Sequence, residues 1–239
     1  MHVDVTFTAQ EIEAATVAGR NVVVIDALRA TSTIITALVN GCQEIIPVRE
    51  PAEAMKYRDE KGYLLGGERG GLKIPGFDLG NSPLEYTRNV VEGKKVVLCT
   101  TNGTLALANS AAARKLIIGA FLNAGAVAQF LAGQGGDVLL ACAGTGGKFT
   151  LEDFLAAGVI LHKLSKIRSN ISMGDRAVAA EAVYLQHQDN VEEALYRGHH
   201  ARDLADLGFS QDVEYCACVD KFELVPVCRE MRVVLPYKR

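Results

Sequence analysis

A repeated junction constrains the fold of this chain more than any other feature of its sequence. In each case an apolar run stops abruptly in small polar residues, and a helical pattern follows directly. One junction reads CTTNGTLAL (Cys99–Leu107), a second reads ACAGTGGKFTLED (Ala141–Asp153), and a third reads IDALRATST (Ile25–Thr33). Apolar runs that lead straight into helices are typical of α/β proteins with a mainly parallel sheet.

The first two-thirds of the chain continue this alternation, which predicts an α/β fold with a largely parallel sheet flanked by helices. The expected strands are Val3–Phe7, Val22–Asp26, Glu44–Val48, Tyr63–Gly66, Lys95–Cys99, Leu116–Gly119 and Asp137–Cys142. The expected helices are Ala30–Asn40, Pro51–Lys61, Ser82–Val91, Thr104–Ala113, Ala124–Ala132 and Leu151–Ile167.

The last third has a different pattern, in which two helices are followed by successive strands. The helices are expected at Met173–Gln188 and Val191–Leu207, and the short strands at Val213–Val219, Phe222–Val227 and Met231–Leu235. Strands without helices between them predict antiparallel pairing at the C-terminus. We expect two α/β lobes, residues 1–120 and 121–239, with the site between them. One compact domain is the alternative, because no linker composition marks the boundary.

Composition excludes several classes of partner. The 239 residues carry a net charge of -3, which gives no general attraction to nucleic acid or to an anionic membrane. No apolar run is long enough for a membrane span, and no basic leader precedes the first strand, so a cytoplasmic location is expected. The six cysteines then represent reduced thiols. A homodimer is the default expectation for such a chain.

The polar residues of the junctions predict an anion-binding site. Backbone N–H groups at the start of a helix converge on one point, glycine allows close approach, and threonine hydroxyls add donors. Candidate substrate-binding residues at the two longer junctions are Thr100, Thr101, Asn102, Gly103 and Thr104, together with Gly144, Thr145, Gly146, Gly147 and Lys148.

The third junction adds a carboxylate and a guanidinium to this set. Asp26 ends an apolar strand, where open α/β sheets place ligands, and is a candidate Mg²⁺ ligand. Capping of the following helix explains Asp26 equally well. Arg29 can bind a phosphate group through two hydrogen bonds, although pairing with Asp26 is the simpler alternative.

A glycine-rich segment from Leu64 to Pro83 is costly to order and is therefore expected to line a site. Glu68 is a candidate second metal ligand or base, while Arg69 and Lys73 offer positive charge. Glu152 and Asp153 begin a helix, where carboxylates are favourable in any case, yet either is also a candidate acid or base. Cys99 is a candidate nucleophile, although a buried structural cysteine is the more frequent situation.

Three common phosphate-handling motifs are absent from these junctions. Position 105 is Leu where the cysteine phosphatases carry Arg, and position 28 is Leu where an Asp-x-Asp motif needs Asp. The segment from Gly144 to Lys148 lacks the length and the hydroxyl residue of a nucleotide-binding P-loop, because Phe149 follows the lysine. Attack by water is therefore favoured over covalent catalysis.

Four segments carry a resemblance to the 2-phosphosulfolactate phosphatase family. They are IDALRATSTIITAL from Ile25, GERGGLKIPGFDLGNSP from Gly67, TTNGT from Thr100 and CAGTGGKFTLED from Cys142. The resemblance implies Mg²⁺-dependent hydrolysis of 2-phospho-3-sulfolactate, a reaction of coenzyme M biosynthesis, on an α/β fold. Asp26 and Glu68 would then hold the metal, and Arg69, Lys73 and Lys148 the sulfonate and carboxylate.

Two alternatives stay open at this point. A phosphatase of the same fold can act on another small phosphorylated hydroxy acid, because specificity depends on a few contacts. The other alternative is a protein that binds an anionic metabolite without catalysis. The carboxylates beside the junctions disfavour it, since they would repel an anion in the absence of a metal.

Overall fold

The structure is a computed structural model and describes residues 1–235. Its strands are β1 (His2–Thr6), β2 (Asn21–Ile25), β3 (Glu44–Val48), β4 (Tyr63–Arg69), β5 (Leu72–Lys73), β6 (Lys95–Cys99), β7 (Lys115–Gly119), β8 (Val138–Cys142), β9 (Ser172–Met173), β10 (Val227–Arg229) and β11 (Arg232–Val234). Its α-helices are α1 (Ala14–Val17), α2 (Ala30–Val39), α3 (Pro51–Met55), α4 (Arg88–Val91), α5 (Gly103–Asn109), α6 (Ala124–Ala132), α7 (Leu151–Ile167), α8 (Asp175–His187), α9 (Val191–Leu195), α10 (His199–Asp206) and α11 (Ser210–Cys216).

The strands form a single sheet in the order β5-β4-β6-β3-β11-β10-β7-β2-β8-β1-β9. Two groups of parallel strands, β4–β6–β3 and β7–β2–β8–β1–β9, are joined by the hairpin of β10 and β11. The hairpin pairs antiparallel with β7 on one side and with β3 on the other. The α/β fold, the mainly parallel sheet and the antiparallel strands near the C-terminus are therefore confirmed.

Helix α2 lies between the two groups of parallel strands and contacts both. Strands β6 and β2 are five positions apart in the order, which corresponds to about 24 Å in a flat sheet. Nevertheless, the turn after β6 reaches Asp26 at the end of β2: a Cβ atom on Gly103 would lie 2.7 Å from the Asp26 carboxylate. Helix α2 contacts both β3 and β7, and its residues Ala30 to Leu38 are all buried.

The core lies on both faces of the sheet, as the continuous Val/Ile runs predict. In β2, Val23 and Ile25 pack with α6 and α7 on one face, while Val22 and Val24 pack with α2 on the other. All five residues of β2 are buried. The end of this strand therefore holds its polar neighbour Asp26 in a position fixed by packing on both sides.

Most elements of the first two-thirds lie where the sequence predicts them, and the differences at three of them bear on the site or its surroundings. The helix expected at Ser82–Val91 is a 3₁₀ turn (Pro83–Glu85) followed by the short α4. Buried Tyr86 interrupts it, because its carbonyl oxygen accepts a hydrogen bond from Asn40 at 2.7 Å. The helix expected at Pro51–Lys61 ends at Met55. Strand β4 extends beyond the expected Gly66 to Arg69, so Glu68 lies at the carboxyl end of this strand.

The final third contains more helix than the sequence predicts. The expected strand Val213–Val219 is wrong: most of it lies in α11, because Val213, Cys216 and Ala217 recur at helical spacing and face the core. Gly198 divides the helix expected at Val191–Leu207 into α9 and α10. The strand expected at Phe222–Val227 begins only at Val227, whereas the last strand is confirmed as β11.

The sheet continues across residue 120, the expected boundary between lobes. Strand β8, from the second half of the chain, pairs with β2 on one side and with β1 on the other, so strands from both halves alternate there. Within residues 1–235, no helix has the length and apolar character needed to cross a membrane.

Close packing of α7 against α8 depends on Gly158, which gives a test of the fold. A Cβ atom at Gly158 would overlap with the backbone carbonyl of Ala180. We expect Gly158→Ala to lower the free energy of unfolding by about 1–3 kcal/mol, because the two backbones must separate. Urea denaturation measures the change. Gly133→Ala is the control, since a Cβ there would lie 3.6 Å from its nearest neighbour; equal unfolding midpoints for both variants would contradict the packing.

Candidate functional site

A cavity of about 340 Å³ lies at the carboxyl ends of β2 and β4, beside the turns that follow β6 and β8. Its lining comprises residues Asp26, Leu28, Arg29, Glu68, Gly70, Gly71, Asn81, Thr101, Asn102, Thr145, Gly146, His200, Asp203, Leu204 and Leu207. The three junctions and the glycine-rich segment all contribute to it. Helix α10, which the sequence analysis did not associate with a site, forms the remaining wall.

Direct hydrogen bonds hold these segments together. The backbone N–H and the hydroxyl of Thr101 both donate to Glu68 Oε1, each at 3.0 Å. The N–H of Gly146 donates to Asn102 Oδ1 at 3.2 Å, which links the turns after β8 and β6. The segments that the sequence treats separately thus converge on one cavity.

Asp26 is the buried carboxylate that faces the cavity. It is 8 % exposed, and its Oδ1 accepts a hydrogen bond from the N–H of Ala30 at 3.2 Å. Burial is the main cause that raises its pKa, to about 8, and repulsion from Asp153 and Glu68 adds to the effect. Asp26 therefore caps α2 and also faces the cavity. Its interpretation as a helix cap is compatible with its interpretation as a candidate metal ligand.

Asp153 fixes the positions of two junctions. Its Oδ1 accepts from the N–H of Ala27 at 2.8 Å, and its Oδ2 accepts from the N–H of Gly144 at 2.9 Å. Burial, followed by repulsion from Glu152, raises the pKa of Asp153 to about 7. Because both oxygens bind backbone amides and the residue does not line the cavity, its role here is positional.

Glu68 connects the glycine-rich segment to the turn after β6. Besides the bonds from Thr101, its Oε2 accepts from the N–H of Gly71 at 2.9 Å. A side chain at Gly71 would approach Leu207 to 2.9 Å, so the segment passes directly beneath the end of α10. Glu68 thereby forms part of the cavity wall and also orders the loop that covers it.

Arg29 forms a buried ion pair that the sequence analysis missed. Its Nη1 donates to Asp212 Oδ2 at 2.6 Å, and both side chains are at most 3 % exposed. Asp212 also accepts from the hydroxyl of Ser82 at 2.6 Å, and Arg29 Nη2 donates to the carbonyl of Gly71 at 2.6 Å. Arg29 lies on the cavity wall with its charge balanced by Asp212, rather than by Asp26 as the simpler alternative proposed.

A histidine of α10 also belongs to the site. His200 Nε2 lies 2.8 Å from the carbonyl oxygen of Leu28, which can only accept, so this nitrogen carries the proton. Burial lowers the pKa of His200, which keeps its ring neutral. No histidine of the sequence has a recognisable partner motif, so only the tertiary contact with the turn after β2 identifies this one.

Several predicted residues lie outside the lining of this cavity. Arg69 donates to the carbonyls of Glu68 and Arg49 and, at 3.4 Å, to Cys99 Sγ. Lys73 is exposed on β5, and Lys148 lines a neighbouring cavity together with Glu152. Cys99 is fully buried, and burial raises the pKa of its thiol despite the nearby charge of Arg69.

The turn after β8 does not present a row of free donors. Thr145 and Lys148 exchange backbone hydrogen bonds of 3.0 and 3.1 Å, while the amides of Gly144 and Gly146 bind Asp153 and Asn102. Gly147 is exposed. In the turn after β6, Thr104 donates to the carbonyl of Thr100, whereas the buried Thr100 hydroxyl has no partner within residues 1–235.

The fold and site together define an α/β protein with an acidic, polar cavity at the ends of its parallel strands. The sequence pattern of the protein family described as 2-phosphosulpholactate phosphatase matches residues 6–231 of this chain. The chain therefore belongs to the 2-phosphosulfolactate phosphatase family, whose named activity is that of a hydrolase acting on phosphate monoesters. The family resemblance predicted from the four sequence segments is confirmed.

Several similar proteins carry the name probable 2-phosphosulfolactate phosphatase. The relative from Carboxydothermus hydrogenoformans is 43% identical and covers 100% of this chain and 99% of its own. The relative from Caldanaerobacter subterraneus subsp. tengcongensis is 45% identical over 87% of each chain. The relative from Thermotoga petrophila is 47% identical over 87% of this chain and 88% of its own. The similarity includes the last third of the chain, which the sequence analysis left out.

The buried ion pair between Arg29 and Asp212 gives a stability test of the site. We expect Asp212→Asn to lower the free energy of unfolding by about 3 kcal/mol, because it leaves the Arg29 charge buried without a counter-charge. Urea denaturation measures this loss. Asp206→Asn, at an exposed position of α10, should change it by less than about 0.5 kcal/mol. Equal stability of the two variants would contradict the pairing.

Proposed function

We propose that this protein hydrolyses 2-phosphosulfolactate to sulfolactate and phosphate in the cavity beside Asp26. The family and the names of the relatives support the substrate. The observation that carries the proposal is Asp26 itself, a buried carboxylate on the cavity wall between the amide of Ala30 and the start of α5. We extend the proposal to the place of this reaction in coenzyme M biosynthesis, as the sequence resemblance implies.

The residues of this cavity fit a magnesium ion, which we include in the proposal. Asp26 and Glu68 both line the cavity, and their mutual repulsion together with burial makes an uncompensated Asp26 carboxylate unfavourable. Within residues 1–235, no group of three or more His, Cys, Asp or Glu side chains is arranged to hold a metal ion. Mg²⁺ often uses one or two carboxylates and takes its other ligands from water and phosphate oxygens.

In this proposal Asp26 and Glu68 would hold the ion. When bound, Mg²⁺ polarises phosphoryl oxygens and increases the acidity of a coordinated water.

The other residues of the chain act on charge and position. The turn that leads into α5 lies next to Asp26, and its residues Thr101 and Asn102 line the cavity, where they would face the phosphoryl oxygens. Asp212 holds the Arg29 side chain in place at the cavity wall. Because this side chain is already ordered, substrate binding does not lose conformational entropy there. His200 is neutral and lines the same wall, where it is a candidate for accepting a proton from the attacking water.

The experiment that tests this function is release of phosphate from 2-phosphosulfolactate by the purified protein, with Mg²⁺ and with a chelator. We expect turnover only with Mg²⁺. Asp26→Asn should lower kcat by at least about 100-fold, because the amide is a poor metal ligand and cannot offset the ion's charge. The matched control is the exposed Asp59→Asn. Full turnover by Asp26→Asn, or turnover in the chelator, would reject the metal site; no turnover by the wild type would reject the substrate.

A second variant separates attack by water from attack by a thiol. Cys99 is buried, outside the cavity lining, and holds its proton because burial raises its pKa. We therefore expect Cys99→Ser to retain kcat within about threefold of the wild type, a change of less than 1 kcal/mol in the barrier. Phosphate release measures it. Loss of turnover with unchanged circular dichroism and thermal unfolding would instead support Cys99 as the nucleophile.

A further inference from the structure

A second cavity, of about 730 Å³, lies directly beside the first. The two share four lining residues, Thr145, Gly146, His200 and Asp203. The rest of the second cavity is formed by residues 148–152 and by Arg197, Gly198 and His199. A small ligand held at the shared wall can therefore place one group in each cavity.

Two basic side chains line the second cavity, beside the carboxyl groups of Glu152 and Asp203. Lys148 and Arg197 both line it and are both exposed. Arg197 pairs with Glu193 one helical turn away at 3.3 Å, and both side chains are more than half exposed. Such an exposed pair is worth little, so the guanidinium can turn to another anion at small cost. In contrast, Arg29 is the one Lys or Arg among the described residues that line the first cavity, and Asp212 already balances its charge.

The start of α10 also faces the second cavity. This eight-residue helix begins at His199 after Gly198, and no side chain of the described part of the chain caps it. The first amides of an α-helix have no partner within the helix, and they favour a negative charge. Gly198, His199 and His200 all belong to the lining.

An independent observation at the same place is an unsatisfied carboxyl group. Glu152 is only 2 % exposed and lines the second cavity, and its Oε2 has no hydrogen-bond partner within residues 1–235. That oxygen lies 3.6 Å from the position of a Cβ atom on Gly198, at the start of α10. A buried polar group without a partner is costly, and a ligand that accepts a hydrogen bond from it would remove that cost. Burial raises the pKa of Glu152 to about 7, so a substantial fraction of the carboxyl group carries the proton and can donate at neutral pH.

Building on the proposed function, we propose that this second cavity binds the sulfonate group of the substrate while the phosphate lies beside Asp26. In 2-phosphosulfolactate the two groups are on adjacent carbons, so they fit on either side of the shared wall. A sulfonate has three acceptor oxygens and a permanent negative charge. The positive charges of Lys148 and Arg197 and the first amides of α10 stabilise this charge. Glu152 donates a hydrogen bond to one of the oxygens. Arg197 and Glu152 are then specificity residues in addition to the Lys148 that the sequence indicated.

The test compares two substrates that differ only in this group. We expect Arg197→Gln and Lys148→Gln each to lower kcat/KM for 2-phosphosulfolactate by about 10- to 100-fold, mainly through KM. For 2-phospholactate, which lacks the sulfonate, the change should be below about threefold. Lys166→Gln is the control, because it removes the same charge from an exposed position at the end of α7.

Calorimetric binding of sulfolactate gives a readout that does not depend on turnover. The dissociation constant should rise about 10-fold or more in Arg197→Gln and in Glu152→Ala, and stay unchanged in Lys166→Gln. Equal losses for both substrates, or unchanged sulfolactate binding in both variants, would overturn the sulfonate site. If the wild type released no phosphate from either substrate, the proposed function would fail, and the binding experiment would still decide whether the cavity recognises a sulfonate.

Discussion

The site depends on one kind of interaction, in which a buried or half-buried carboxylate accepts hydrogen bonds from the backbone of two different segments. Asp153 holds the turns after β2 and β8, and Glu68 holds the glycine-rich segment against the turn after β6. Asp212 also joins two segments, but it accepts hydrogen bonds from the side chains of Arg29 and Ser82. A cavity made almost entirely of loops gains a defined shape in this way, without regular structure of its own.

These carboxylates carry an electrostatic cost that shapes the chemistry of the cavity. Asp26, Glu152 and Asp153 are all buried. Asp153 raises the pKa of Asp26, Asp26 raises that of Glu152, and Glu152 raises that of Asp153. In the function we propose, a cation would offset these charges, because the acidic wall alone would repel a multiply charged anion. The same principle separates the two cavities: the first is dominated by acids, and the second presents exposed cations.

The sequence predicts the α/β fold and the polar junctions well, since both follow from local patterns. The Val/Ile run of β2 and the polar residues after it already indicate a strand end that carries Asp26. The sequence fails where a residue acts through distant partners. Asp212 directly precedes the expected strand Val213–Val219, and its importance appears only when α11 places it against Arg29. Likewise, Arg69 has the charge expected of a ligand-binding residue, but the fold directs it to backbone carbonyls.

The hairpin of β10 and β11 has a consequence for how the chain assembles. It supplies the pairing between β3 and β7, although these strands precede it by more than a hundred residues. During synthesis from the N-terminus, the inner edges of both parallel groups therefore stay unpaired until residues 227–234 have emerged. Unpaired strand edges invite association with other chains. The period of greatest risk for aggregation thus ends only when the last strands of this sheet are added.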